Sequence, residues 1–226
     1  MENDKKKNFI SQQEIEQELR VAQSQQRSAN FRGKAIKGFF IKAKKIEVGL
    51  DFEAAIILGP VFLEGTEIQG DVNLNHAIIN GSFYFGESCL KGNLNLEEAM
   101  VKGVINLVGT SVEKSLNFKS LTVNGFLSLA KTQIGGNLNF QNLKLNDVYH
   151  TGSVVKGDLY LRNAIISGVL NLQQCLVEGS VDMLGALVGK EVNLTAASIN
   201  DFLIIKEAKI QGELILEKTK YKEIVK

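Results

Sequence analysis

The chain has 226 residues, of which 44% are hydrophobic and 23% charged, and its formal net charge is +1 at pH 7. So small a net charge does not favour a general electrostatic role on nucleic acid or at a membrane surface. The lysine-rich start, Met1 to Asn8, lacks the apolar core of a secretory signal. No stretch approaches the ~18 apolar residues of a transmembrane segment. We therefore expect a cytoplasmic, bacterial-type protein.

Residues 1–27 are predicted to form a disordered tail and an N-terminal capping helix. Residues 1–10 are charged and predicted to be disordered. Ser11 and Glu14 have the spacing of a capping box, which predicts a helix over about 12–26. Its apolar residues recur on one face: Ile15, Leu19 and Ala22. The helix is expected to cover the first coil of the repeat that follows, because an open end would expose unpaired strand edges.

Residues 28–226 are predicted to form an all-β solenoid, because an 11-residue unit marked by glycine repeats along them. Apolar and polar residues alternate within each unit, and the alternation slips at a two-residue corner such as 97–98. Outward residues agree only every 22 positions, as in the series Asp51, Asn73, Asn95, Asn117 and Asn139. We therefore expect a right-handed parallel β-helix of about 22 residues per coil, with eight to nine coils.

Two details of the coil follow from the repeat. Each glycine is predicted to lie mid-strand at an inward position, where a bend would give a four-sided coil and a straight passage two long faces. The unit between Asn146 and Lys156 is one residue short, which predicts a trimmed corner near residues 151–152.

Several segments resemble the pentapeptide-repeat family, in which Asp or Asn precedes Leu or Phe. They are Ala29-Asn-Phe-Arg-Gly, Val72-Asn-Leu, Leu94-Asn-Leu, Ile105-Asn-Leu, Leu116-Asn-Phe, Leu138-Asn-Phe, Leu170-Asn-Leu and Val192-Asn-Leu. The resemblance implies a right-handed quadrilateral β-helix, although this chain alternates units of five and six residues. It also implies an alternative function as a DNA mimic that binds topoisomerases. Bactofilin-like filament formation is a second alternative.

Candidate chemical groups are few. His76 is expected at a solvated corner, and the side of His150 is left open by the short unit. Cys175 is predicted to fill the core, Cys89 to point outward, and no disulfide is expected. The outward asparagines are interpreted as a side-chain hydrogen-bond ladder along the stack. We predict no catalytic, cofactor-binding or metal-binding residue. We also predict no small-molecule substrate and no direct binding of nucleic acid. A carbohydrate-active β-helix enzyme would need longer loops than these corners provide.

The remaining feature is an outward face that is apolar in coil after coil. Its predicted interaction residues are Ile56, Phe62, Ile78, Tyr84, Met100, Val104, Phe126, Val148, Ile165 and Val169. Soluble monomers rarely expose an apolar patch larger than a few hundred Å². The N-terminal helix, a second subunit or another protein is therefore expected to cover this ridge. The predicted function is a non-enzymatic scaffold that docks a protein partner or forms a homodimer.

Overall fold

The computed structural model describes residues 9–41 and 45–226, which form one parallel β-solenoid with four sheets along its sides. Val72 pairs with Leu94, and Leu94 pairs with Leu116, so that equivalent strands are 22 residues apart. The predicted 22-residue coil is confirmed. Its cross-section is four-sided, because each coil contributes one short strand to each of the four sheets.

Sheets 1 to 4 follow one another in this order along every coil. Sheet 1 contains Ala29–Asn30, Leu50–Asp51, Val72–Asn73, Leu94–Asn95, Leu116–Asn117, Leu138–Asn139, Leu159–Tyr160, Val181–Asp182, Phe202–Ile204 and Glu223–Val225. Sheet 2 contains Phe9–Ile10, Ala35–Ile36, Ile56–Ile57, Ile78–Ile79, Met100–Val101, Thr122–Val123, Lys144–Leu145, Ile165–Ile166, Leu187–Val188 and Lys209–Ile210. Sheet 3 contains Phe39–Phe40, Val61–Phe62, Phe83–Tyr84, Ile105–Asn106, Leu127–Ser128, Val148–Tyr149, Leu170–Asn171, Val192–Asn193 and Leu214–Ile215. Sheet 4 contains Lys45–Ile46, Glu67–Ile68, Cys89–Leu90, Ser111–Val112, Gln133–Ile134, Val154–Val155, Leu176–Val177 and Ser198–Ile199.

The interior of the solenoid is filled by the residues that were predicted to point inward. In one coil, Val72, Leu74, Ala77, Ile79 and Phe83 are all fully buried. The first strand residue points inward on sheets 1 and 3 and the second on sheets 2 and 4. In this coil the alternation shifts by one residue at the turn after sheet 1 and runs unbroken through the bend between sheets 2 and 3. A single apolar core therefore runs along the whole axis.

In the coils from Leu50 onward, the chain turns tightly after each strand of sheets 1 and 3 that is followed by another strand. After Leu94–Asn95, Ala99 N–H donates to the Leu96 carbonyl and closes a four-residue turn whose third residue, Glu98, has a φ of 57°. The predicted corner at 97–98 is confirmed. Oδ1 of Asn95 accepts a hydrogen bond from the Glu97 N–H, two residues on, which holds the turn in place.

The other two corners of each coil are looser bends, and the repeat glycines lie there rather than mid-strand as predicted. Gly81 and Gly103 lie at bends between sheets 2 and 3, and Gly92 lies at a bend between sheets 4 and 1. A Cβ atom on Gly81 would come within 2.6 Å of backbone atoms of Gly59 and Pro60 in the preceding coil. The glycine is needed because adjacent coils touch through their backbones at this point.

The short unit trims the bend at Asn146–Asp147, and the predicted trimming at 151–152 is wrong. Residues 151–152 form an ordinary turn, whereas the bend before Val148–Tyr149 has lost a residue. Val148 therefore pairs with Leu127 in an inward position and is fully buried, while Tyr149 points outward. The predicted outward position of Val148 is wrong.

The N-terminal helix spans Gln12–Ser24, two residues shorter at its end than predicted, and the Ser11–Glu14 capping box is present. Ile15 and Ala22 are buried against the first coil, so that the helix covers this end of the core. The predicted disorder of residues 1–10 is wrong at Phe9–Ile10, which pairs with Ala35–Ile36 and extends sheet 2. Residues 1–8 lie outside the described part of the chain.

Candidate interaction surface

The outward residues of sheet 2 form a straight column, which we call the sheet 2 row. In order along the axis they are Phe9, Ala35, Ile56, Ile78, Met100, Thr122, Lys144, Ile165, Leu187 and Lys209. Ile78, Met100, Ile165 and Leu187 keep 37% to 42% of their surface exposed. The in-register pairing of parallel strands holds these side chains side by side, about 5 Å apart.

Three outward rings of sheet 3 stack on one another and form an aromatic ladder. The ring centroids of Phe40 and Phe62 are 5.5 Å apart, and those of Phe62 and Tyr84 are 4.7 Å apart with nearly parallel planes. Because the rings lie face to face along the axis, they present their edges to solvent. The ladder ends at Asn106, which occupies the next position of the column.

A third group of predicted residues lies at the corner between sheets 2 and 3. Val104, Phe126 and Val169 each precede a strand of sheet 3, and Phe126 is 41% exposed. Val148 would have continued this column, but the trimmed bend puts Asp147 there instead. Ile165 and Leu187 lie beside the corner on sheet 2.

The predicted ridge is therefore divided between two sheets and the corner that joins them. On sheet 2, Thr122 and Lys144 separate the aliphatic side chains of the first coils from Ile165 and Leu187. On sheet 3, Asn106 and Ser128 separate the aromatic ladder from Tyr149. Exposed apolar residues thus form two patches along the solenoid.

The N-terminal helix does not cover these patches. Its buried residues pack against the end of the core, and Phe40, Ile78 and Met100 remain 52%, 37% and 42% exposed with the helix in place. Nε2 of Gln12 is 3.5 Å from the Phe40 carbonyl, at the near end of the aromatic ladder. The expectation that the helix covers part of the ridge is wrong for Ile78 and Met100.

Sheet 1 has the opposite character, since amides and hydroxyls occupy its outward positions. Oδ1 of Asn93 accepts from the Ser115 N–H, Oγ of Ser115 from the Asn137 N–H, and Oδ1 of Asn137 from the Asp158 N–H. Asp158 in turn accepts from the Ser180 N–H. The hydrogen-bond ladder along the stack is present here, and it mainly joins side chains to the backbone of the next coil. The asparagines inside the strands cap local turns, and Nδ2 of Asn73 also donates to Oδ1 of Asp51 in the preceding coil.

The acidic groups of sheet 1 have cationic partners in several coils. Arg32 forms ion pairs with Asp51 and Glu53. Lys119 is 2.9 Å from Glu97, and its ammonium lowers the pKa of that carboxyl. These pairs interrupt the negative surface that a DNA mimic would need.

The two cysteines are free, and each lies on its predicted side. Cys89 is partly exposed on sheet 4, between Glu67 and Ser111. Cys175 is buried, its thiol contacts the His150 carbonyl, and burial raises the pKa of the thiol to about 12. That pKa leaves Cys175 protonated and unreactive at neutral pH.

His150, whose side the sequence left open, lies fully inside the core. It occupies the inward position that leucine fills at Leu129 and Leu172 in the neighbouring coils. Neither ring nitrogen has a hydrogen-bond partner, and burial lowers the pKa of the imidazole to about 4. His76, in contrast, lies at an exposed corner with Nδ1 3.3 Å from Glu98, as the sequence predicts for a solvated residue.

A polar cleft lies between the helix and the first coil. Glu18 and Arg27 form an ion pair within it, and Glu14, Lys34 and Asp51 line its walls. The Glu18 carboxylate also accepts from the Asn30 N–H, so that this charge fastens the helix to the first strand of sheet 1. The charged residues of the cleft therefore serve to attach the helix to the first coil.

Comparisons with protein-family models, with curated proteins and with solved structures found no match to this chain. Across residues 9–41 and 45–226, no group of three or more His, Cys, Asp or Glu side chains is arranged to hold a metal ion. The described residues also contain no helix with the length and apolar character needed to cross a bilayer.

Proposed function

We propose that this protein is a non-enzymatic scaffold of the pentapeptide-repeat-like type, which docks a protein through its apolar sheet 2 side. The observation that carries the proposal is the exposure of Ile78, Met100, Ile165 and Leu187 on one straight row. Large apolar side chains of this kind are more typical of docking surfaces than of a free surface in water. The four-sided coil with its Leu-Asn-Leu motifs supports the family resemblance.

The rigidity of the fold suits such a role. Every coil hydrogen-bonds to its neighbours on four sheets, and the side chains of the sheet 2 row are held in register by those sheets. A docking surface that is already ordered loses less conformational entropy on binding. The sheet 2 row is therefore an ordered apolar surface before a partner binds.

The experiment is affinity capture with the purified, tagged protein from cells that express it. Ile78→Lys combined with Met100→Lys places two charges in the sheet 2 row, and this variant is expected to lose its bound protein, self or other. Ser111→Lys combined with Gln133→Lys makes the same change at outward positions of sheet 4 and should retain binding. Equal binding by both variants would contradict the proposal.

A further inference from the structure

From Ala35 to Lys209 the sheet 2 row is nearly symmetric about Thr122, and Phe9 extends the row beyond Ala35 without a counterpart. Counting outward in both directions, the paired positions are Met100 with Lys144, Ile78 with Ile165, Ile56 with Leu187, and Ala35 with Lys209. Two of the four pairs join large aliphatic side chains, and none joins like charges. A second copy of the row, turned end for end, would therefore meet the first with its apolar patches aligned.

A twofold contact between two such rows has two orientations. With the solenoids parallel, each residue faces its own copy, and Lys144 would face Lys144 in the middle of the contact. With the solenoids antiparallel, Thr122 faces Thr122 on the axis and Lys144 faces Met100. Like charges facing each other in a contact are destabilising, whereas a lysine stem can lie along an apolar side chain. The antiparallel orientation is therefore favoured.

One exposed carboxylate beside the row agrees with this orientation, whereas the exposed Lys102 lies on the opposite side of Met100. Glu98 is exposed at the turn two residues before Met100. In the antiparallel contact, the Lys144 ammonium of one copy points toward Glu98 of the other. The Glu98 carboxylate then compensates the positive charge of Lys144, which would otherwise face an apolar surface. Phe126 lies in the same coil as Thr122, at the adjoining corner, so that two Phe126 rings come together beside the axis.

The exposed apolar area is sufficient for a stable dimer. Six side chains on or beside sheet 2 retain 37% to 46% of their surface: Leu58, Ile78, Met100, Phe126, Ile165 and Leu187. If a large apolar side chain has roughly 180 Å² of surface, they expose about 450 Å² together. A standard interface takes about 800 Å² from each partner, of which roughly 60% is apolar. The exposed apolar area of these six side chains is therefore close to the apolar area of a standard interface, about 480 Å² on each partner.

We propose that the chain forms an antiparallel homodimer through the sheet 2 row, with the twofold axis passing between the two Thr122 side chains. The dimer depends on the proposed function, because it fills the same apolar surface with a second copy of the chain. A twofold self-contact is also the commonest way in which soluble proteins bury such a surface.

Cysteine cross-linking tests the position of the axis, in a Cys89→Ser background that removes the partly exposed thiol. Thr122→Cys is expected to give a disulfide-linked dimer on mild oxidation, since the two thiols face each other. Ile56→Cys alone, on the same sheet, is expected to remain uncross-linked, whereas Ile56→Cys combined with Leu187→Cys cross-links. Cross-linking of Ile56→Cys alone, or no cross-linking of Thr122→Cys, would overturn the antiparallel dimer.

A charge pair tests the orientation without oxidation. Sedimentation of the unmodified protein at micromolar concentration is expected to give twice the chain mass of 24.8 kDa. Ile78→Lys with Ile165→Lys should give the monomer, because lysines then face lysines across the axis. Ile78→Lys with Ile165→Glu should regain the dimer, because opposite charges face each other only when the solenoids are antiparallel. A monomer from this second pair would contradict the orientation.

The failure of the dimer and the failure of the docking function are distinguishable. A monomeric unmodified protein overturns the dimer. If that monomer still captures a different protein, and loses it in the Ile78→Lys, Met100→Lys variant, the docking function stands. If the monomer captures nothing that depends on the sheet 2 row, both proposals are wrong.

Discussion

Oδ1 of Asn139 accepts a hydrogen bond of 3.0 Å from the backbone N–H of Gln141. Leu143 N–H donates to the Phe140 carbonyl over 3.1 Å and closes the same turn, in which Asn142 has a φ of 55°. Asparagine favours such turns because its short side chain replaces a backbone acceptor. The asparagine of the Leu-Asn-Phe motif therefore shapes a corner of the coil, and its regular spacing reflects folding rather than recognition.

Asn139→Ala is expected to lower the free energy of unfolding by about 1 kcal/mol, because the Gln141 N–H loses its acceptor. Chemical denaturation monitored by circular dichroism measures the loss. Asn139→Asp keeps an acceptor oxygen at the same place and serves as the control, with a smaller expected change. An alanine variant as stable as the parent would show that the turn does not need its cap.

Leu138→Asp is expected to destabilise the central coils by at least about 4 kcal/mol, because a fully buried side chain would become an unpaired carboxylate. Asn137→Asp, one residue earlier, keeps the acceptor of the Asp158 N–H and should cost less than about 1 kcal/mol. Thermal melts of the two variants compare them. Equal losses would contradict the assigned inward and outward positions.

Gly81→Ala is expected to cost about 3 kcal/mol, since its Cβ would lie 2.6 Å from the backbone of the preceding coil, which has no room to move. Gly65→Ala is the matched control: nothing lies within 4 Å of its Cβ, although its φ is 61°. Ala54 already adopts this conformation at the corresponding position of another turn, so the control should lose only about 1 kcal/mol. Denaturant midpoints separate the two costs, and the same loss in both would refute the close contact between coils.

His150 should make stability depend on pH in the acid range. Its pKa is about 4 in the folded protein and 6.5 when unperturbed, so the unfolded chain binds the proton first as the pH falls. The folded state keeps its full stability above pH 6.5 and loses roughly 3 kcal/mol between pH 6.5 and 4 through this group.

The measurement for His150 is the unfolding free energy of His150→Leu against the parent protein across that pH range. Leucine restores the side chain found at Leu129 and Leu172, and it removes two buried nitrogens that lack partners. The variant should be more stable at pH 7, and its advantage should grow as the pH falls. A constant difference between the two proteins would exclude a buried neutral imidazole.

Deletion of residues 1–27 is expected to leave the β-solenoid folded but prone to association. The deletion removes Ile15 and Ala22, which are buried against the first coil, and the Phe9–Ile10 strand, which pairs with the edge of sheet 2. Exposed core and an unpaired edge favour pairing with another chain. Circular dichroism should retain the β signal while sedimentation shows larger species; a truncated protein that behaves like the full chain would rule out the capping role.

The predictions that succeeded depend on sequence patterns that act locally. Ser11 and Glu14 specify the start of the helix, and the spacing of Leu94 and Leu96 specifies which side chains are buried. The prediction failed for Val148, because a one-residue deletion can be absorbed at either of two corners. The amino-acid sequence alone does not distinguish the two corners. In the structure the deletion lies at the bend at Asn146–Asp147, which reverses the side of Val148.

The apolar ridge was only partly predictable for a similar reason. Alternation identifies Ile78 and Tyr84 as outward, but it does not reveal the corner between them, which places the two on different sheets. The sequence by itself determined the coil length, the parallel stacking and most of the buried residues, because these follow from a pattern that recurs in every unit. Only the tertiary structure decided the four sides, the trimmed bend and the separate apolar patches, because these depend on where the backbone of one coil meets the next.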